Sequence, residues 1–442
     1  MSNMMDKDTV FTPASEKDRA HWLVPATIFG GLEFAVPVIM VGATLAGSFG
    51  LTDIFFILLV ALVIIQWIGN AIQGYLGAKT GRPASVIART SFGSLQARFI
   101  VGFALILLNA GWFGINTATA GNAMSVIFGI NYNEQWILWA VLTLINGLIF
   151  AAPAIIGYNS MKWTDYIAVP AGLLLVISGV YFAVSSAGGW QAVLQWDPDP
   201  SITFFGAISL VLGANVAQWL IASDFTRHSK PTIKDQTLIP LGIVVIGLIF
   251  FMTGAVMSVG VGDADIVNVM QDLGFPFWGF LILWLALWTS QLVSSYSIGL
   301  AASSMFNIDS GKGRALLTLI GSLGGVLLAL VGILDFFEEF LVILAVIYPA
   351  IAGIMFADFF FIRNKKWIDK LGWNWVATGA LVLGIGVGYI TEYIYPIGIP
   401  ALQSLFVSMI CYYAGMKIKA NVKPDQFTKE MYHEKEDTNV NI

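Results

Sequence analysis

Phe29-Gly30-Gly31-Leu32-Glu33-Phe34-Ala35-Val36-Pro37 lies in the middle of the first long apolar segment, residues 22–49. This segment is long enough to cross a bilayer, since about 20 helical residues span the hydrocarbon core. Paired glycines and a proline interrupt a helix, and irregular backbone at membrane depth is tolerated only inside protein or beside a cavity. An intramembrane carboxylate costs roughly 2.5–3.5 kcal/mol on insertion scales and is by default functional. The stretch therefore predicts a broken first membrane helix that forms part of a binding site.

The composition places the chain among polytopic helical membrane proteins. Of its 442 residues, 57% are hydrophobic and only 11% are charged, whereas about 25% are charged in soluble domains. The net charge of −5 gives no indication of nucleic-acid binding, and the single cysteine, Cys411, excludes an intrachain disulfide framework. The polar first 20 residues lack an apolar signal segment, so we expect the first helix to insert by itself.

Hydropathy and turn residues predict an all-α integral membrane protein with twelve transmembrane helices. We expect residues 1–20 and 418–442 to form tails on either side of a single membrane domain, 21–417. The predicted helices are residues 22–49, 54–78, 95–127, 134–155, 161–184, 204–225, 235–260, 276–305, 315–333, 337–362, 374–394 and 398–416.

The basic residues indicate the orientation of these helices. With the N-terminus in the cytoplasm, all 22 lysine and arginine residues fall in cytoplasmic segments or at cytoplasmic helix ends, as the positive-inside rule requires. The opposite side carries only acids, among them Asp53, Asp197 and Asp263. We therefore expect a multi-pass protein of the plasma (inner) membrane with both termini in the cytoplasm.

The sixth predicted helix has a second glycine-interrupted stretch, Leu212 to Gln218, in which Asn215 follows Gly213 as Glu33 follows Gly31. Paired interrupted helices of opposite orientation are the best sequence indication of a transporter site between inverted repeats. Repeat one would cover about 22–184 and repeat two about 204–362, followed by two further helices at about 374–416. The alternative is two unrelated helices with packing glycines.

Two other helices carry polar side chains at membrane depth. Asn109, Trp112 and Asn116 share one face of the third helix, and amides beside an indole suit a flat, polar, neutral ring such as a pyrimidine or a purine. The alternative is a helix contact through the neighbouring glycines. In the eighth helix, the hydroxyls of Thr289 and Ser290 indicate a Na⁺ site beside the broken helix, because hard cations prefer oxygen ligands. The alternative is that these hydroxyls bond to their own backbone or pack between helices.

The sequence lacks a nucleotide-binding glycine loop, a zinc-protease motif and a plausible catalytic triad. An ATP-driven pump or an enzyme is therefore not expected. No cofactor is indicated, and no obligate protein partner is evident; the expected partners are a small-molecule substrate and the lipid bilayer.

Several motifs, in the order in which they occur, resemble the nucleobase:cation symporter-1 family, and within it the bacterial cytosine permeases. The motifs are residues 74–81, 88–93, 111–114, 223–227, 288–290 and 349–359. The resemblance implies a five-plus-five inverted-repeat fold with two extra C-terminal helices, working by alternating access.

The resemblance also implies roles for individual residues. Trp112 would stack on the substrate ring, Asn109 and Asn116 fall where the family has amides, and Gln291 resembles a substrate-binding amide of the eighth helix. Sodium would be held by the backbone carbonyls of Gly31, Phe34 and Ala286. The hydroxyls of Thr289 and Ser290 would complete the set of ligands.

Two positions depart from the family pattern. Asn215 replaces a second stacking aromatic residue in the sixth helix, and Glu33 replaces a small neutral residue in the first helix. Glu33 could accept hydrogen bonds from a substrate amine, bind the cation, carry a coupling proton, or bond to the backbone of the broken helix.

The sequence therefore predicts cation-coupled uptake of a nucleobase, a cytosine-like pyrimidine or a purine. Trp112 would stack on it, and Asn109, Asn116, Asn215, Gln291 and Glu33 would contact its polar edge. The coupling ion would be Na⁺, with H⁺ as an alternative. The alternative substrates are hydroxymethylpyrimidine, allantoin and an organic amine recognised through Glu33.

Two other classes of protein are considered, a channel and a membrane-embedded enzyme. Accumulation against a gradient would exclude a channel, and recovery of unchanged solute would exclude an enzyme.

Overall fold

The computed structural model describes residues 13–14, 19–132, 134–156, 158–259, 261, 263, 265–308, 310–424 and 427, with the backbone alone at 158–169 and 289. Within these residues the chain forms helices joined by short turns, and a single backbone bridge between Ala20 and Ser229 is the only strand-like contact. The helices are α1 Leu23–Glu33, α2 Val36–Ala46, α3 Leu51–Thr80, α4 Ala84–Phe92, α5 Ser94–Phe128, α6 Trp136–Ile156, α7 Tyr158–Ser186, α8 Trp190–Leu194, α9 Phe204–Asn215, α10 Gln218–Thr226, α11 Ile233–Ser258, α12 Ile266–Asp272, α13 Phe277–Phe306, α14 Gly311–Leu330, α15 Ile333–Ile362, α16 Trp375–Ile394 and α17 Pro400–Val422.

Each of the twelve predicted membrane helices corresponds to a helix of this series, except that the first and the sixth are each divided in two. The short helices α4, α8 and α12 lie between predicted membrane helices and have no counterpart among them. In the described part of the chain, nine helices are long and apolar enough to cross a membrane, and the bent pair α1–α2 makes a tenth. The other two predicted helices correspond to α7, with its apolar part Pro170–Ser186, and to the more polar α17. The all-helical membrane class and the broken first and sixth helices are confirmed, whereas the count of twelve and the inverted repeat stay predictions.

Glycines let the broken first helix lie directly against α11. A Cβ atom at Gly254 would overlap the carbonyl oxygen of Ile39, and one at Gly42 would overlap that of Phe251. Small residues allow this close approach of backbones, which drives helix association in lipid. The two halves of the first helix are therefore fixed in position by backbone contact along α11.

The end of the bundle that carries the basic residues, here called the basic end, is closed by a strap, residues 363–374, that leads from α15 to α16. The strap lies on α4: Asp369 pairs with Arg89 at 2.7 Å, and the backbone N–H of Asn374 donates to the carbonyl of Phe92 at 3.0 Å. The buried side chain of Asn374 also donates to the carbonyl of Ser91 at 2.6 Å. The C-terminal part of the chain thus holds the short helix between α3 and α5.

Candidate substrate and cation site

The first helix breaks immediately after Glu33. Phe34 leaves the helical region with φ −73° and ψ 57°, Ala35 is extended, and α2 starts at Val36 with Pro37 in its first turn. Proline suits the first turn because the N–H groups there have no acceptor within the helix. The missing N–H of Pro37 therefore costs no hydrogen bond. The two halves meet at 56°. The last carbonyls of α1, including that of Gly31, therefore lie at the break, where a helix offers no intrahelical donor.

The sixth helix breaks at the residues that the sequence indicates. It ends its first half at Asn215 and resumes at Gln218 after Val216 and Ala217. A Cβ atom at Gly213 would overlap the carbonyl oxygen of Leu341, so this glycine lets α9 approach α15 closely.

Side chains from the two breaks meet around Glu33, which is fully buried. Gln218 Nε2 donates to Glu33 Oε1 at 2.7 Å, and the amide nitrogen of Asn215, oriented to satisfy both groups, lies 2.6 Å from the same oxygen. Gln66 of α3 donates to the backbone carbonyl of Asn215 at 2.8 Å. The other carboxylate oxygen faces α11, 3.1 Å from where a Cβ of Gly247 would lie. Glu33 is thus surrounded by α3, α9, α10 and α11.

Sequence reasoning missed two members of this cluster, Gln66 and Gln218. A signal for the first was present, because Gln66, Asn70 and Gln73 are spaced i, i+4 and i+7 and so share one face of the second predicted helix.

The polar face of α5 has one aromatic and two amide side chains in different surroundings. Trp112 is half-buried and makes edge contacts with Phe340 and Phe337 of α15, with ring centroids at 5.3 and 6.4 Å. Asn109 and Asn116 are buried and donate to backbone carbonyls of their own helix, at 2.7 and 3.0 Å. The Oδ1 of Asn116 has no hydrogen-bond donor among the described residues.

Gln291 connects α13 to this face. It is fully buried, and its Nε2 donates to Thr117 Oγ1 at 2.8 Å and to the carbonyl of Phe113 at 3.1 Å. Its Oε1, like the Oδ1 of Asn116, has no donor within the described structure. Residues 113, 116 and 117 lie on one side of α5, so Gln291 bonds to the side of the helix that carries Asn116.

The predicted sodium ligands lie on α1 and α13, which pack against each other. Gly31 and Phe34 are at the helix break, and Ala286 and Ser290 are buried on α13. The hydroxyl of Ser290 donates to the carbonyl of Leu287 at 3.2 Å. The side chain of Thr289 lies outside the described residues. Carbonyl and hydroxyl oxygens are ligands that suit Na⁺, so the donor chemistry of the set fits this ion.

A wide pocket opens at the opposite, acidic end of the bundle. Its lining includes Asn122, Asp263, Asp265 and Glu338. Asp265 caps α12 by accepting from Val267 N at 2.8 Å. Burial, reinforced by the neighbouring carboxylate of Asp263, raises the pKa of Asp265.

An all-helical membrane bundle in which two broken helices contribute to one buried polar cluster has the architecture of a multi-pass transporter. Residues 12–408 match the family model described as permease for cytosine/purines, uracil, thiamine, allantoin. The chain belongs to this family, that of the nucleobase-cation-symport-1 transporters, and is not an enzyme.

Two curated relatives are similar over nearly the whole chain. The cytosine permease of Escherichia coli strain K12 is 26% identical over 400 residues, covering 89% of this chain and 92% of the relative. The allantoin permease of Bacillus subtilis strain 168 is 25% identical, covering 92% and 90%.

Among solved structures, the fold is similar to that of Mhp1, a nucleobase-cation-symport-1 family transporter, in a closed conformation with bromovinylhydantoin bound. The TM-score is 0.78 at 20% identity, covering 96% of this chain and 99% of Mhp1. The inward-facing conformation of Mhp1 gives a TM-score of 0.73 at 19% identity.

Proposed function

We propose that this protein takes up a nucleobase, a cytosine-like pyrimidine or a purine, by cation-coupled symport across the plasma membrane, with both termini in the cytoplasm. The observation that carries the proposal is the presence of two buried acceptor oxygens without donors in the described structure, Asn116 Oδ1 and Gln291 Oε1. Asn116 shares a face of α5 with the half-buried indole of Trp112. Amine and ring N–H groups of a nucleobase would donate to these oxygens, and its flat face would stack on the indole. The similarity to a cytosine permease supports this substrate class.

Sodium is proposed as the coupling ion, held by the carbonyls of Gly31, Phe34 and Ala286 and by the hydroxyls of Thr289 and Ser290. A cation at the helix break would neutralise carbonyl dipoles that the interrupted helix leaves exposed. Binding of the ion would fix α1 against α13 and so favour the state that binds the substrate. The transport of the two solutes would be coupled because each one stabilises the state that binds the other.

A second candidate substrate is allantoin or a related hydantoin, because a curated allantoin permease is similar to this chain at nearly the same identity as the cytosine permease. An organic amine recognised by Glu33 is less well supported. The carboxylate of Glu33 already accepts from Asn215 and Gln218, and it is fully buried.

The experiment that tests these substrates is uptake of labelled cytosine, and in parallel of labelled allantoin, into proteoliposomes with an inward gradient of Na⁺ or of K⁺. We expect Na⁺-dependent, saturable accumulation that excess cytosine or adenine reduces and excess allantoin does not. Accumulation of labelled allantoin with no competition by nucleobases would replace the proposed substrate by the second candidate. Equal accumulation with K⁺ would contradict sodium coupling.

A further inference from the structure

The cavities at the two ends of the bundle differ greatly in size. At the acidic end the pocket has a volume of about 1050 Å³, and its lining includes Phe337, whose ring contacts Trp112. Near the basic end, a cavity of only about 20 Å³ is lined by Asn109, Asp224 and Arg227 among others. That volume holds about one water molecule. The small cavity is therefore too narrow in this structure to let a nucleobase pass.

The small cavity lies between the polar face of α5 and the basic end. Its lining comes from α5, α4, α10 and α13, with Ser85 on α4, Ile221 on α10 and Ser297 on α13. Asn109 on α5 lies about one helical turn closer to the basic end than Trp112. A solute that leaves the candidate site towards the basic end would therefore have to widen this cavity.

A side chain of α10 caps α4 beside this cavity. The helix α4 follows Pro83, which has no side-chain acceptor for capping. Its first N–H group, that of Ala84, donates to Asp224 Oδ1 of α10 at 2.7 Å. A carboxylate suits this place, because the first N–H groups of a helix lack intrahelical acceptors and carry a partial positive charge. We call the bond between Ala84 N and the Asp224 carboxylate the latch.

On its other side, α10 is hydrogen-bonded to α3. Gln73 of α3 donates to the carbonyl of Leu220 and to Ser223 Oγ, each at 3.0 Å. In the opposite direction, Thr226 of α10 donates to the carbonyl of Gly74 at 3.0 Å. These bonds are buried, so breaking them would leave polar groups unsatisfied inside the protein. We therefore expect α3 and α10 to move together.

The helix α4 is instead fixed to the strap. Besides the contacts described above, the indole of Trp367 donates to the carbonyl of Val86 at 3.1 Å. Just after α4, the N–H groups of Ser94 and Leu95 donate to carbonyls of the strap at 2.7 and 3.0 Å. Gly81, between α3 and α4, has a φ of 66° and provides a hinge there. Because α4 has contacts with the strap along its length, it should separate from α10 rather than from the strap.

We infer that the latch closes the transport path at the basic end. While Asp224 accepts from Ala84, the small cavity stays closed; when this bond breaks, α3 and α10 move away from α4 and the cavity opens. Asp224 is thus a positioning residue, which acts on the path through α4. The inference rests on alternating access, which the proposed symport requires, and not on the identity of the solute.

The test measures access to the small cavity and needs no solute. In a Cys411→Ser background, Ser297→Cys places one thiol in the lining of this cavity, and Ser125→Cys places one in the acidic pocket. The rate of modification by a small, charged methanethiosulfonate is measured for each thiol in the purified protein. Loss of a helix cap changes an equilibrium by about 2- to 30-fold. We expect Asp224→Ala to raise the rate at Ser297→Cys by such a factor and not to raise it at Ser125→Cys.

Two further variants test the latch if Asp224→Ala does not fold. Asp224→Asn keeps an acceptor oxygen and should restore a rate close to that of the wild type. Ala84→Pro removes the N–H group on the other side of the latch. Proline is favoured at the first position of a helix, and Pro83 before it is already extended, with a ψ of 164°. We expect Ala84→Pro to raise the rate at Ser297→Cys, and Asp224→Ala to add nothing further, because both remove the same bond.

The control is Thr232→Ala, which removes another helix cap at the basic end. Thr232 Oγ1 accepts from Asp235 N at 3.0 Å and so caps α11, a helix that does not line the small cavity in the described structure. This variant should leave the rate at Ser297→Cys unchanged. Wild-type rates in both Asp224→Ala and Ala84→Pro would overturn the inference, and so would an increase that Thr232→Ala reproduces or that Ser125→Cys shares.

Uptake measurements separate the latch from the proposed function. If no nucleobase accumulates and the rates at Ser297→Cys change as expected, the proposed substrate is overturned and the latch is supported. If nucleobases accumulate and these rates do not change, the latch is overturned and the proposed symport stands.

Discussion

At the level of single residues, Gln291 shows how helix contacts would prepare the proposed binding site. Its amide nitrogen satisfies two acceptors of α5, and this leaves its oxygen buried without a donor in the described structure. An unsatisfied buried acceptor costs about 1–3 kcal/mol. A ligand that donates to this oxygen would recover that free energy, so we expect the proposed site to favour solutes with N–H groups over isosteric solutes without them.

Trp112 provides the clearest test of the proposed stacking. Base–aromatic stacking contributes about 1–3 kcal/mol, so we expect Trp112→Leu to raise the dissociation constant of the nucleobase about 5- to 150-fold. Calorimetric titration of the purified protein measures this change. Trp136→Leu, at a tryptophan that is 48% exposed on the bundle surface, should bind as the wild type does. Unchanged affinity in Trp112→Leu would remove this residue from the site.

Asp265 gives a prediction about pH. Because burial raises its pKa in the folded protein, the folded state binds more protons than the unfolded state between the two pKa values, and stability falls as pH rises through that window. Asp265→Asn keeps an acceptor for Val267 N but removes the charge. We expect this variant to have the higher melting temperature at neutral pH, with the difference vanishing in acid. A wild type that is more stable at neutral pH would contradict the prediction.

At the level of helices, the contact between the broken first helix and α11 depends on glycine. Overpacking typically costs 1–3 kcal/mol, and the obstacle at Gly254 is the backbone of Ile39, which cannot rotate away. We expect Gly254→Val to lower the melting temperature by several degrees or to prevent folding. Gly386→Val is the matched control, because a Cβ there meets no atom within 4 Å. Thermal unfolding in detergent compares the two, and equal melting temperatures would refute the packing argument.

Much of the helical arrangement could be predicted from the sequence, but the contacts within the site could not. Hydropathy located the helices, and the glycines and Pro37 located the breaks, because both signals act along the chain. That Gln218 bonds Glu33, or that Phe340 contacts Trp112, depends on how each helix is rotated about its axis. That rotation is set by packing against neighbours, which one sequence does not display.

At the level of the whole molecule, the orientation is tested by labelling. In a Cys411→Ser background, Asp199→Cys and Lys366→Cys place single thiols at exposed positions on the acidic and basic ends. From the positive-inside rule we expect a membrane-impermeant maleimide to label Asp199→Cys in intact cells, and Lys366→Cys only after permeabilisation. The reverse pattern would invert the topology and would place the basic end on the outer side.

The strap on α4 has a consequence for biosynthesis. The strap residue Asp369, which pairs with Arg89, is 280 positions later in the chain. At about 5–20 residues per second, the ribosome needs about 14–56 s to supply that partner after Arg89 has been made. During this interval the early helices are already in the bilayer, and α4 is not yet covered by the strap. The insertion machinery or a chaperone would then have to protect the incomplete basic end, and translation arrested before the strap would leave a bundle that inserts but whose basic end does not close.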